Sequence, residues 1–160
     1  MPNHSTVAIA NEFIRRHGGT AIPAQMQLQK LVYIAHGWNL AVNEEPLVSE
    51  LPQAWDNGPV FRGLWNHIRD YGFGHKTKLL ENAKSKLPVS EPLSENETAV
   101  IDHVWNKYRH LSGVELSRMT HKPGTPWSVS YFSRGRNSLI PNDEIKKHYV
   151  EMALAGRAAA

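Results

Sequence analysis

Residues 24–42 read AQMQLQKLVYIAHGWNLAV, and the spacing of the polar residues in this stretch decides the fold. Wound as an α-helix at about 100° per residue, Gln25, Gln29, His36, Asn39 and the adjoining Asn43 fall into one narrow stripe. Leu28, Leu31, Ala35, Trp38 and Val42 fill one flank of it, and Met26, Tyr33, Gly37 and Leu40 the other. A helix that is apolar around most of its circumference is buried at the centre of a domain. The polar stripe reads as a half-solvated face or a satisfied internal network in preference to the lining of a groove.

Outward from this helix the chain keeps a helical rhythm. Asn3 to His17 places Val7, Ala10, Phe13 and Ile14 on one side and predicts a first helix, ended by Gly18-Gly19. EEPLVSELPQAW (44–55) is broken by Pro46 and Pro52 and suits a short strand pair or an extended crossing segment. Asp56, Asn57 and Gly58 are turn formers. Gly58-Pro59 reads as a helix start, because Pro has no N–H to lose in a first helical turn. Phe61, Leu64, Trp65, Ile68 and Tyr71 then repeat at helical spacing. Ser94-x-x-Glu97 and Ser112-x-x-Glu115 have the capping-box form and open two further helices, the second reaching about Thr120. THKPGTPW (120–127) is a Pro/Gly-punctuated turn landing on Trp127, and a last helix is expected from about Asn142 to Ala153, burying Ile145, Tyr149 and Met152. Trp55, Trp65, Trp105 and Trp127 are read as core.

The fold expected is therefore mostly α: a single compact helical domain with a central buried helix and a minor extended or β-hairpin element. A length of 160 residues fits one domain over 1–160. Its core covers about 6–150, with a polar, Lys-rich surface excursion over 72–93 and a loose tail over 154–160. The Ala-rich end, ALAGRAAA, resembles the tags that ClpX-type unfoldases engage, although a frayed helix end is the simpler reading.

Composition narrows the function more by exclusion than by assertion. The absence of cysteine rules out a disulfide scaffold, thiol catalysis and Cys-ligated zinc, and fits a reducing cytoplasm. No apolar run approaches the roughly 18 residues of a membrane span, and no secretory signal is visible. The nine histidines include no His-x3-His pair and no His-Glu-x-x-His helix. No G-x-S-x-G, P-loop or G-x-G-x-x-G is present either, so no enzyme, cofactor or metal is expected. His121, at a helix end, is read as a C-terminal cap. Between residues 107 and 136, Lys107, Arg109, Arg118, Lys122, Arg134 and Arg136 face a single acid, Glu115, with Trp127, Tyr131 and Phe132 interleaved. Such a region can dock an acidic protein surface, bind nucleic acid by phosphate contact and base stacking, or simply be solvated. With a net charge of only +3 a nucleic-acid partner is permitted but not demanded.

Several irregular motifs follow in order along the chain: Leu28-Gln29-Lys30-Leu31 with Tyr33, Ala35-His36-Gly37-Trp38, Pro46-Leu47, and Ala54-Trp55 followed by Gly58-Pro59-Val60. Together they resemble the Panacea-domain family of SocA-like antitoxins and phage-associated GepA-type proteins. Leu116-Ser117, Thr120-His121, Pro126-Trp127, Ile140, Ile145 and Tyr149 continue the likeness, which spans roughly Thr6 to Val150. The resemblance implies an antitoxin that binds and neutralises a cognate protein toxin, with no enzymatic reaction. One type in the family hands its toxin to a ClpXP-type protease. Some members carry an added DNA-binding domain, for which this chain has no spare length. The motif residues Leu28, Lys30, Leu31, Tyr33, Gly37, Trp38, Trp55, Gly58, Pro59, His121, Pro126 and Trp127 are expected to carry stability. Contact with a partner is expected instead from Arg118, Lys122, Tyr131, Arg134 and Arg136. A nucleic-acid-binding regulator using the same 107–136 region is the alternative.

Overall fold

Every residue from Leu28 to Leu40 is buried on the helix α2 (Gln25–Val42), around which the rest of the chain is wrapped. The computed structural model describes residues 4–18, 24–75 and 77–159. Around α2 pack α1 (Thr6–His17), α3 (Arg62–Tyr71), α4 (Glu95–Tyr108), α5 (Gly113–Thr120) and α7 (Asn142–Ala159). The shorter α6 (Pro126–Ser133) lies against the hairpin formed by β1 (Gln53–Trp55) and β2 (Gly58–Val60). Mostly α with one small antiparallel sheet, the architecture is the one the sequence predicts. Leu28, Leu31, Ile34, Phe13, Phe61, Leu64 and Ile101 are fully enclosed in one core. Each such side chain contributes about 1.5–3 kcal/mol.

From Gln29 to Asn43 the polar stripe of α2 is an internal network, while Gln25 at its start lines a cavity. Gln29 accepts from Phe61 N at 2.9 Å and donates to Phe61 O at 3.2 Å, closing both main-chain groups of one residue. His36 Nδ1 accepts from Leu47 N and Val48 N, while Nε2 donates to Asn142 Oδ1 at 2.8 Å. Asn39 donates to Glu45 O at 2.8 Å. The stripe thereby fixes the extended 45–61 segment, and His36 also fixes the start of α7.

The expected caps form. Ser94 with Glu97 and Ser112 with Glu115 make reciprocal capping boxes, and His121 Nδ1 donates to Ser117 O at the end of α5. Ser5 caps α1 through Ala8 N. Asn3 and Gly19, named in the predicted first helix, and Ala160 of the tail lie outside the described residues.

Four expectations change. Pro59 opens no helix: it sits in β2 opposite Ala54, and α3 starts at Arg62. The position tolerates Pro because Ala54 turns its own main-chain groups away from β2. Ala54 N donates to Ser138 O at 2.8 Å, and Ala54 O accepts from Asn137 N at 2.7 Å, so no ladder bond is lost. A helix absent from the sequence reading, α6, follows the KPG turn, with Thr125 as cap and Pro126 in its first turn. The last helix continues past Ala153 to Ala159 through an Ala-rich run of high helix propensity. Trp65 is 36% exposed because α3 turns Leu64 and Ile68 inward instead, and Trp55 on β1 is only half-buried. Trp105 and Trp127 are core, as expected.

The 72–93 excursion forms no named helix or strand among its described residues, only turns and an isolated bridge between Glu81 and Pro88. Buried Asn11 holds it down. Its amide donates to Leu80 O and Val89 O, both at 2.8 Å, and its oxygen accepts from Leu80 N at 2.7 Å.

Candidate functional site

The hairpin corner brings a buried lysine, a left-handed glycine and an aromatic pair together. Gly58 has φ +117°, a conformation open to Gly alone without strain, and a Cβ there would stand 3.0 Å from Lys30 Cε and 3.3 Å from Thr120 Oγ1. This close approach lets Lys30 Nζ donate to Pro59 O at 2.9 Å. From the other side Trp127 Nε1 donates to Trp55 O at 2.6 Å, and Ser117 Oγ donates to Asn57 O. The hairpin is thus clamped between α2, α5 and α6.

Beneath its outer face lies a cavity of about 360 Å³ between the hairpin, the first turns of α2 and α3. Met26, Val60 and the edge-to-face pair Trp55–Trp65, with centroids 5.3 Å apart, give it apolar walls. Lys30 lines its interior, and Asp56 and Arg136 its rim. Burial pushes the Lys30 ammonium down to about 8. On the rim, the Tyr131 hydroxyl, donating at 2.8 Å, and the Arg136 guanidinium hold the Asp56 carboxyl below the usual carboxylate range. Tyr131 stacks on Trp127 at 4.6 Å, and Phe132, 77% exposed, meets both rings edge-on.

The five contact residues expected from the sequence separate into two groups. Tyr131 and Arg136 converge on Asp56, and Arg134 on the same helix end donates to Ser130 Oγ at 2.6 Å and Glu144 Oε2 at 2.9 Å. Lys122 lies on a different, smaller cavity with Tyr33 and His148, while Arg118 is exposed on α5. Neither makes an ion pair among the described residues. The motif residues Leu28, Lys30, Leu31, Tyr33, Trp38, Pro126 and Trp127 are buried, and Gly37 presses against Tyr149. The sequence reading passed over Lys30 as a functional group and Trp65 as an exposed aromatic, and placed Phe132 in the basic and aromatic region without naming it as a contact. A lysine inside a helix buried on every side was the available signal for the first.

Residues 28–128 match the family model described as Antitoxin SocA-like, Panacea domain. The chain belongs to this family of SocA-like Panacea-domain antitoxins. It is also similar to Antitoxin SocA of Caulobacter vibrioides (strain NA1000 / CB15N), at 28% identity over 138 residues, covering 81% of this chain and 72% of that protein. No solved structure matches it. Within the family span fall α2 from Leu28 onward, the hairpin and the clamp made by Ser117 and Trp127, whereas Gln25, Met26, Arg136 and Asn137 of the cavity lie outside it. No helix of the described residues is long and apolar enough to cross a membrane, and no group of three or more His, Asp or Glu among them is placed to hold a metal.

Proposed function

We propose that this chain is the antitoxin of a toxin–antitoxin pair and neutralises its cognate protein toxin in the cytoplasm by direct binding rather than by catalysis. Family membership carries the reading. The surface that fits it best is the face around the hairpin and α6, where exposed Phe132 and Trp65 flank Tyr131, Arg134 and Arg136. Clustered aromatic and Arg side chains are what anchors a protein interface. Arg118 and Lys122 would extend the contact onto an acidic toxin surface. Pairing of Arg134 with Glu144 and of Arg136 with Asp56 weighs against the nucleic-acid alternative, since it leaves less uncompensated charge for phosphate.

The test is growth of cells expressing the adjacent open reading frame, alone and then with this protein, followed by co-purification. Toxicity alone, rescue together and a stable complex are expected. The double variant Arg134→Glu, Arg136→Glu should bind about tenfold or more weakly, and full protection by it would move the interface elsewhere. Rescue that disappears in cells lacking ClpXP, without a stable complex, would make this protein a proteolytic adaptor.

A further inference from the structure

The cavity under the hairpin contains a charge with which no carboxylate pairs among the described residues, since Asp56 on the rim is bonded to Tyr131 and Arg136 instead. Lys30 is 1% exposed, and among the described residues its ammonium makes one hydrogen bond, to Pro59 O. An ammonium has three donors, so two find no partner there. No carboxylate pairs with it among the described residues, and the sequence has no Asp or Glu outside them. With its pKa brought down to about 8, it still carries its proton at neutral pH. A second group shares the space: the buried Gln25 oxygen finds no partner among the described residues, and a carboxamide turned end over end offers a donor instead. Gln25 and Met26 also place the first turn of α2 on the cavity, where Ala24 offers no capping side chain and the helix dipole favours an anion.

We infer that this cavity is a carboxylate receptor: a carboxylate carried by the partner protein enters it, bonds to the free N–H groups of Lys30 at the N-terminal turn of α2, and packs its apolar stem against Trp55 and Trp65. Aromatic walls around a single interior cation fit a carboxylate on an apolar stem better than a phosphate, which would call for more than one cation. Unpaired buried charge is costly to a fold. Function explains why it is kept. Only the identity of the partner rests on the antitoxin reading.

The experiment follows the Lys30 ammonium by NMR in the full chain with labelled lysine. Four probes are added: acetyl-Leu-Glu-Leu-amide, its Gln counterpart, acetyl-Leu-Leu with a free carboxylate, and inorganic phosphate. A saturable shift is expected with a carboxylate peptide, with the Gln peptide about tenfold or more weaker. Whether the Glu peptide or the free acid responds tells a side chain from a chain end as the source. No response to either carboxylate, an equal response to Gln, or a response to phosphate alone overturns the inference. In the growth assay, Lys30→Met should stay folded, since it removes a buried charge, and should lose protection. If folded Lys30→Met protects like the parent, the receptor falls and the antitoxin reading stands. If the parent itself fails to protect, the antitoxin reading falls, and the peptide titration decides the receptor alone.

Discussion

Gly37 shows how little room single residues have at the centre of this molecule. A Cβ built there would lie 2.3 Å from two ring carbons of Tyr149 on α7, far inside van der Waals contact. Gly37→Ala is therefore expected to destabilise by about 1–3 kcal/mol through overpacking, read as a lower urea midpoint with the slope unchanged. His36, one residue earlier, is constrained by its proton. Burial, only partly opposed by the bond to Asn142, pushes its pKa down to about 4. An unfolded imidazole takes up its proton near pH 6.5, so the unfolded state binds it first as the solution is acidified. The stability due to neutral His36 is complete above about pH 6.5, falls as pH drops, and is gone below the folded value of about 4. Melting temperature should decline across that window, and His36→Gln, though less stable at neutral pH, should decline less steeply.

At the scale of elements, side chains that reach across the sequence decide what stays in place. Removing the Asn11 amide leaves the buried main chain at Leu80 and Val89 without partners. Asn11→Ala should cost about 1–3 kcal/mol and speed hydrogen exchange at Leu80 far more than on α2. Thr125→Ala removes the cap of α6 and should cost about 1 kcal/mol, seen as faster exchange at Ser128 N. The sequence made α2, both capping boxes and the clustering of basic and aromatic residues legible, since periodicity and caps are local signals. It misplaced Pro59 because the hydrogen bonds that make a strand position safe for proline come from residues 137 and 138, far along the chain. It missed α6 although Thr125-Pro126 carries a start signal, because the preceding KPG suggests only a turn. Lys30 as the interior of a cavity was not legible, since the hairpin that covers it is placed by contacts with α5 and α6.

For the whole molecule, a second histidine sets the opposite pH trend. His4 bridges Glu91 at 2.9 Å and Glu97 at 3.0 Å, joining the N-terminal segment to the start of α4. Burial opposes its charge, but the bonds to Glu97 and Glu91 outweigh that and raise its pKa. The stability it contributes is complete below about pH 6.5 and is lost as pH rises through the raised folded value. The gap in melting temperature between the parent and His4→Gln should accordingly be wider near pH 6 than near pH 9. The enclosure of α2 also has a meaning in time. α7, whose Ile145 and Tyr149 complete that enclosure, is the last of these elements to leave the ribosome. Until it does, a growing chain carries its central helix without its final cover, within reach of chaperones and proteases. For the antitoxin proposed above, protection would then begin only with chains that include α7.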